Sequence, residues 1–193
     1  MPSAAILLAD GTEEMEFTIT YDTLVRAGVA CNSAYVLDPT DTGTLRNYAT
    51  CSRGVRIMYD AVFQAEQFGP YAYDALIIPG GAKGADTMSK NPAVQSLVRQ
   101  FLKEDKIVGM ICAGSLTALT SKLDRQPLTS HPSVKAQLEN DFVYSEDPVV
   151  VSNKLITSRG PGTTFLFALQ LVESLCGVAK KEEVRAPMVF PDS

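Results

Sequence analysis

The chain has 193 residues, of which 46% are hydrophobic and 20% charged, and its formal net charge is −5. This composition is typical of a globular protein and excludes a chain that is disordered throughout. An acidic balance argues against a general nucleic-acid binder, and no apolar run reaches the ~20 residues needed to cross a bilayer. We therefore expect a single domain over residues 1–193, with neither nucleic acid nor a membrane as a partner.

The apolar run at 3–9 predicts a first β-strand rather than a secretory signal, because no basic residue precedes it and Asp10 ends it. The expected location is the cytoplasm, with the nucleus as a second compartment, where thiols stay reduced. Zinc-type spacing is absent from the four cysteines, and the chain has one histidine. We expect no metal and no cofactor, since no dinucleotide-binding glycine fingerprint is present either. The four cysteines are Cys31, Cys51, Cys112 and Cys176, and the histidine is His131.

Strands and helices alternate along the chain. The apolar patterns predict strands at 3–9 and 29–37, a small hairpin within 40–59, strands within 74–81 and 107–114, and a hairpin formed by 149–151 and 154–158. They predict helices from the acidic turn after Asp10 to Gly28, with a cap near Thr12 and an apolar stripe that includes Met15 and Val25, and then at 92–104, 115–123, 164–176 and 179–185. This order favours an α/β fold with a mostly parallel sheet and helices on both faces.

Ligands of such sheets bind beyond the carboxyl ends of the strands. Three predicted strand ends therefore deserve comparison: Asp10 to Glu16, Pro79 to Gly81, and Ile111 to Gly114.

Cys112 lies between a buried strand and the start of a helix, with a glycine two residues later. This layout is typical of a nucleophile elbow, in which a strained turn presents one side chain at the edge of the sheet. A helix N-terminus favours thiolate over thiol, and the Gly-Gly pair at 80–81 can bring a second backbone amide close to that of Ala113 to complete an oxyanion hole. The alternative is an inert buried thiol, the usual state of a lone core cysteine.

Glu16 and His131 are the candidate acid and base. Three acids within four positions, Glu13, Glu14 and Glu16, raise the chance that one points inward, where a buried carboxyl stays protonated and exchanges protons with a sulfur. Glu16 and His131 each have a plainer structural interpretation as well. An acid in the first turn of a helix suits the helix dipole, and a histidine before Pro132 can simply belong to a loop.

Five motifs in the same order resemble the DJ-1/PfpI superfamily, and in particular its DJ-1 branch. They are EEME at 13–16, PGG at 79–81, ICAG at 111–114, SHP at 130–132 and SRGPGT at 158–163. The resemblance implies a flavodoxin-like three-layer sandwich and a homodimer. It also implies a reactive Cys112 with Glu16 as its partner, His131 nearby, and the amides of Gly81 and Ala113 as oxyanion donors. The implied site lining is Gly80, Gly160, Pro161 and, from a neighbouring subunit, Arg53.

The activity implied by the resemblance is a cofactor-free, glutathione-independent glyoxalase of the hydro-lyase class. Such an enzyme converts methylglyoxal and water to lactate, with D-lactate as the expected product, and takes glyoxal as well. The alternatives are an oxidative-stress sensor or chaperone that acts through a Cys112 sulfinate, a protein deglycase, and a vestigial site in a structural dimer.

Two departures from the family pattern bear on these alternatives. The protease-like branch has histidine directly after the cysteine, where this chain has Ala113, which argues against a peptidase. The DJ-1 branch usually has proline after Cys-Ala-Gly, where this chain has Ser115, so the turn is expected to be slightly looser.

Overall fold

A computed structural model describes residues 1–191 and shows a central sheet of seven strands with helices packed against it. The strands are β1 (Ser3–Leu8), β2 (Ala30–Tyr35), β3 (Tyr48–Thr50), β4 (Arg56–Met58), β5 (Ala61–Val62), β6 (Ala75–Ile78), β7 (Ile107–Ile111), β8 (Pro127–Leu128), β9 (Val143–Tyr144), β10 (Val149–Ser152) and β11 (Leu155–Ser158). The helices are α1 (Glu14–Arg26), α2 (Ala82–Lys90), α3 (Pro92–Lys103), α4 (Leu116–Thr120), α5 (Lys135–Leu138), α6 (Thr164–Cys176) and α7 (Val178–Arg185).

The strand order in the sheet is β10-β11-β7-β6-β1-β2-β5. Every neighbouring pair is parallel except β10 and β11, which form an antiparallel hairpin at one edge. The predicted, mostly parallel α/β fold is therefore confirmed. Along the chain, the sheet first extends from β1 through β2 to β5. It then extends on the other side of β1, from β6 through β7 to the β10–β11 hairpin. The topological switch point, where ligands of such sheets bind, lies between β1 and β6.

Two groups of helices sandwich the sheet. Helix α1 packs on α6, and α6 also contacts β7 and β11, whereas α2, α3 and α4 pack on one another and on β6 and β7. The core strands are buried along their length, which explains why β1, β6 and β7 read as continuous apolar runs. The predicted hairpin within 40–59 is present as the antiparallel pair β3–β4 outside the main sheet.

Three local predictions are wrong. Helix α2 was not expected, because its sequence carries Gly84 and few large apolar residues. The cap of α1 is the Glu13 side chain, which accepts from the amide of Glu16, rather than Thr12. Of the stripe predicted on α1, Leu24 is buried, whereas Met15 and Val25 are half exposed, and the buried face also includes Phe17 and two glutamates.

The predicted strand over 107–114 is shorter than expected. Strand β7 ends at Ile111, and residues Cys112–Ser115 form a turn of 3-10 helix before α4. The chain reverses direction within this turn, at the residue that was predicted to be a nucleophile. Within residues 1–191, no helix has the length and apolar character of a membrane span.

Candidate active site

The three predicted strand ends meet at the carboxyl edge of the sheet. Strand β6 pairs with β7 so that Ile78 lies opposite Met110, and the loops that follow these strands stay in contact. The amide of Glu13, in the loop after β1, donates to the carbonyl of Gly80. The sequence motifs on these loops therefore form one site at the topological switch point.

Cys112 has the backbone geometry of a nucleophile elbow. Its φ is 62°, in the left-handed region that non-glycine residues seldom occupy, and its side chain is 9% exposed. Gly114 permits the sharp turn, since a Cβ there would lie 2.5 Å from the carbonyl oxygen of Ile78. A strained, nearly buried cysteine at this position is what the elbow prediction requires.

Glu16 is held inside the protein by the first turn of α1. It is 1% exposed, and its Oε2 accepts a 2.7 Å hydrogen bond from the amide of Gly80. Its Oε1 is buried as well and has no hydrogen-bond partner among the described residues. Glu16 is thus fixed to the loop after β6 through one carboxyl oxygen.

Gly80 separates the carboxyl group from the thiol. A Cβ on Gly80 would lie 2.7 Å from Glu16 Oε2, 3.0 Å from Cys112 Sγ and 2.6 Å from Cys112 Cβ. Any side chain there would occupy the space across which the two groups face each other. The next residue, Gly81, has a φ of 84° and begins α2.

The Glu16 carboxyl and the Cys112 thiol both resist ionisation. Burial raises the pKa of Glu16 to about 7, although interactions with Cys112 and the Gly80 amide act in the opposite direction. Burial, together with the negative charge of Glu16, raises the pKa of Cys112 to about 12, against the lowering effect of the Ala113 and Gly81 amides. This direction is opposite to the expected preference of Cys112 for the thiolate, because burial opposes the charged form more strongly than the amides favour it.

The pair therefore holds a single proton over most of the range between these two pKa values. When that proton lies on Glu16, the sulfur is a thiolate that faces the amides of Gly81 and Ala113 and a protonated carboxyl. Each of these groups stabilises the thiolate state. The arrangement can deliver a nucleophile and an acid together, without a second ionisation.

His131 lies beside the elbow but does not reach Glu16 or the Cys112 sulfur through any hydrogen bond in the structure. Its amide donates to the carbonyl of Cys112 over 3.3 Å, while its ring nitrogen Nδ1 bonds to Ser133 and caps the following turn. Ser115 Oγ donates to the carbonyl of Thr129 over 3.0 Å, and this bond anchors the turn where the family usually has proline. The two bonds connect the elbow to the loop that carries His131.

Gly160 and Pro161 lie on the far side of His131. A Cβ on Gly160 would contact the His131 ring at 3.4 Å, and Pro161 starts the short turn before α6. Ser158, which opens the loop over 158–163, pairs with Ile111, the residue that directly precedes Cys112.

Arg53 is exposed, and its one side-chain hydrogen bond goes to the carbonyl of Ser52. Its backbone is fixed by Glu14, a residue that sequence reasoning did not single out. The buried Glu14 carboxylate accepts from Ser52 Oγ and from the Arg53 amide, each at 2.8 Å. These bonds lower the pKa of Glu14 even though its burial opposes them. The sequence feature that points to Glu14 is its place in the cluster of three acids at 13–16.

Potential metal-binding side chains were compared by their arrangement in space. Among residues 1–191, no group of three or more His, Cys, Asp or Glu side chains is arranged to hold a metal ion. The site is built from a thiol, a carboxyl group and backbone amides.

These features define an α/β protein of the flavodoxin-like class with a cysteine at a nucleophile elbow. The model of the DJ-1/PfpI family matches residues 2–174, and the chain belongs to this family.

Similar proteins cover nearly the whole chain. A Schizosaccharomyces pombe protein named glutathione-independent glyoxalase DJ-1 is 40% identical over 99% of this chain and 100% of its own length. The Danio rerio Parkinson disease protein 7 homolog is 35% identical over 98% of this chain and 97% of its own length. The solved structure of Schizosaccharomyces pombe DJ-1 superposes with a TM-score of 0.89 at 39% identity, covering 98% of this chain and 100% of that one.

Proposed function

We propose that the protein is a glutathione-independent glyoxalase that converts methylglyoxal and water to D-lactate, and that it takes glyoxal as well. The observation that carries the proposal is the pairing of Cys112 with Glu16 across Gly80, with one Glu16 oxygen unpartnered. The name of the similar Schizosaccharomyces pombe protein supports the same activity. The site's nucleophile, proton carrier and oxyanion donors are the groups that this reaction needs.

In the first step, the Cys112 thiolate attacks the aldehyde carbon of methylglyoxal and forms a hemithioacetal. The amides of Gly81 and Ala113 hold the oxygen that becomes negative, and the protonated Glu16 supplies the proton that neutralises it. Glu16 is then a carboxylate next to the carbon that carries the remaining hydrogen. A carboxyl with a raised pKa suits both halves of this exchange, because it takes and returns a proton near neutral pH.

In the second step, Glu16 removes the proton from the former aldehyde carbon to give an enediol and returns it to the neighbouring carbon. The aldehyde carbon is thereby oxidised to the level of a thioester, while the ketone carbon is reduced to an alcohol. Water cleaves the thioester and releases lactate and the free thiol. The oxidation and the reduction balance within the substrate, so no external electron carrier takes part.

The test is lactate formation from methylglyoxal without glutathione, with the chirality of the product assigned. We expect turnover by the wild type and a loss of at least a hundredfold in Cys112→Ser and in Glu16→Gln, as expected when a nucleophile or a general base is removed. Matched controls are Cys176→Ser, in a partly buried helix position, and Glu104→Gln, on the surface. Equal rates in the wild type and both site variants, with all proteins folded, would refute the proposal.

The proposed assembly is a homodimer formed through α1 and the β3–β4 hairpin. A groove of about 390 Å³ lies between them and is lined by Phe17, Tyr21, Val25, Ile57 and Met58 among others. Apolar side chains around it are strongly exposed, including Met58 at 70%. Such a patch is typical of a surface that another protein covers. Arg53 lies in the connection between β3 and β4, the hairpin that borders this groove, which supports a role for it at a neighbouring subunit's site.

A second candidate function is oxidation sensing through Cys112. The raised pKa of Glu16 favours it, because a protonated carboxyl beside the sulfur can donate a hydrogen bond to a sulfinate oxygen. Mass spectrometry of the peroxide-treated protein tests this function. The expected product is a sulfinate on Cys112 in the wild type and further oxidation to the sulfonate in Glu16→Ala. The same product in both proteins would argue against the stabilising role of Glu16.

A further inference from the structure

Arg159 borders the site on the side opposite Glu16. Strand β11 pairs in parallel with β7 so that Ser158 lies opposite Ile111, and Arg159 and Cys112 are the next residues on these two strands. A Cβ on the residue after Arg159, Gly160, would lie 3.4 Å from the ring of His131. The arginine therefore belongs to the row of residues that forms the carboxyl edge of the sheet at the elbow.

Charged groups differ between the two sides of this edge. On the β1 side, Asp10 is paired with Arg46 and Glu14 is held by hydrogen bonds, whereas Glu13 forms no salt bridge with any described residue. On the other side, Arg159 is the charged residue that directly follows β11. A negative group bound near Cys112 is repelled by Glu13 and attracted by Arg159.

The guanidinium of Arg159 is incompletely paired. Its Nη1 donates to the carbonyl oxygen of Glu146 over 3.1 Å, and its Nε is buried with no acceptor among residues 1–191. The Glu146 carboxylate is engaged by Lys135 at 2.7 Å, and Arg159 forms no salt bridge with any residue of 1–191. A buried donor without an acceptor is costly. A bound anion would supply the missing partner.

We propose that Arg159 is a specificity-determining residue that binds a carboxylate at the far end of a 2-oxoaldehyde substrate. Carboxylates suit this group because the guanidinium offers two parallel donors to two oxygens. The reacting aldehyde lies at Cys112 and the carboxylate lies over β11, away from the acids that follow β1. The inference rests on the proposed function, since it extends the substrate of that reaction from methylglyoxal to its longer acidic analogues.

The first experiment compares 4,5-dioxopentanoate with its methyl ester as substrates. The same reaction adds water to the acid and yields 2-hydroxyglutarate, with the aldehyde carbon oxidised and the ketone carbon reduced. We expect the wild type to prefer the acid and the ratio of kcat/KM for acid over ester to fall about tenfold in Arg159→Gln, chiefly through the KM of the acid. Arg159→Lys keeps the positive charge but lacks the two parallel donors of the guanidinium, so it should retain part of the preference for the acid over the ester.

Arg125→Gln is the matched control, because Arg125 also donates one hydrogen bond from Nη1 to a backbone carbonyl, that of Asn140, on the surface away from the elbow. It should leave the ratio at the wild-type value. An acid-to-ester ratio that is equal in the wild type and in Arg159→Gln would overturn the inference while leaving the glyoxalase proposal intact.

A second readout does not depend on turnover. Iodoacetate and iodoacetamide alkylate Cys112 by the same displacement and differ in charge, and peptide mass spectrometry gives the rate at this residue. We expect the iodoacetate-to-iodoacetamide rate ratio to fall about threefold in Arg159→Gln and to stay unchanged in Arg125→Gln. If the protein turns over no 2-oxoaldehyde, the glyoxalase proposal fails, and this ratio alone decides whether Arg159 attracts anions. An unchanged ratio in Arg159→Gln overturns the inference.

Discussion

Glu16 and Cys112 compete for one proton, and their burial decides the pH at which the site works. The pKa of Glu16 is raised to about 7 and that of Cys112 to about 12. The state with one proton on the pair, which the proposed reaction needs, therefore forms as the pH rises through 7. We predict that kcat/KM for methylglyoxal rises about tenfold per pH unit below this value and levels off above it.

A pH–rate profile with buffers of constant ionic strength checks this prediction. An inflection near pH 4.5, the ordinary range of a glutamate, would show that burial does not control the ionisation of Glu16. The profile concerns the free enzyme, so methylglyoxal is kept well below its KM.

The same burial makes Glu16 a source of pH-dependent instability. A group whose pKa is higher in the folded than in the unfolded state stabilises the fold at low pH, and this stabilisation is lost as the pH rises through the folded value. The carboxyl is therefore tolerated when protonated and costly when ionised. Relative to Glu16→Gln, the wild type should lose about 2 kcal/mol of unfolding free energy between about pH 5.5 and pH 7.5.

Urea unfolding of the two proteins at both pH values measures this difference. Glu104→Gln, a change at an exposed carboxyl, serves as the control and should track the wild type. A constant gap between the wild type and Glu16→Gln across this range would contradict the assignment of a buried, neutral carboxyl.

At the scale of elements, the first turn of α1 joins two loops. It carries Glu16 into the site, and two residues earlier it carries Glu14, which holds Ser52 and Arg53. We predict that Glu14→Gln releases the loop over 51–55, because the variant replaces charge-assisted bonds with weaker neutral ones. The expected cost is about 1–2 kcal/mol of stability.

Hydrogen exchange at the amide of Arg53 measures the loosening of this loop directly. The amide should exchange faster in Glu14→Gln than in the wild type, while the amides of β6 keep their protection. Glu139→Gln, at an exposed helix end, is the control. Unchanged protection of the Arg53 amide would show that Glu14 does not hold the loop.

The sequence predicts the elements that carry strong local signals. Continuous apolar runs identify β1, β6 and β7, and glycines at their ends identify the loops of the site. Helix α2 escapes prediction because its stability depends on tertiary packing of Ala85 and Met88 rather than on its own propensity. The contact of Glu14 with Ser52 also escapes it, since the two residues are 38 positions apart and no local pattern links them.

The ionisation of Cys112 shows the same limit. A cysteine before a helix indicates a lowered pKa when the local sequence alone is considered. The burial of the thiol and the proximity of Glu16, neither of which the local sequence shows, both raise the pKa of Cys112. The position of Cys112 at the turn could be predicted from its spacing, whereas its ionisation depends on the packing of three loops.

For the whole molecule, the proposed dimer makes a sharp prediction. Met58 is 70% exposed in the described structure, so Met58→Glu should cost an isolated subunit little. At a dimer interface, the same substitution buries an unpaired charge, which is strongly unfavourable. We predict a dimer for the wild type and a shift to monomer for Met58→Glu in sedimentation velocity.

Tyr71→Glu is the matched control, because Tyr71 is a 94% exposed apolar side chain outside the groove between α1 and the β3–β4 hairpin. It should sediment like the wild type. A wild type that sediments as a monomer would refute the dimer proposal. A Met58→Glu variant that remains dimeric would show that the interface lies on another face.

The most direct test of the account is to trap the covalent intermediate. Glu16→Gln retains Cys112 but cannot pass a proton between the two substrate carbons. Intact-protein mass spectrometry after mixing with methylglyoxal should therefore show an adduct of one methylglyoxal on Cys112 that persists in Glu16→Gln, turns over in the wild type and is absent from that site in Cys112→Ser. An adduct that clears in Glu16→Gln with release of lactate at the wild-type rate would contradict the central role assigned to the carboxyl.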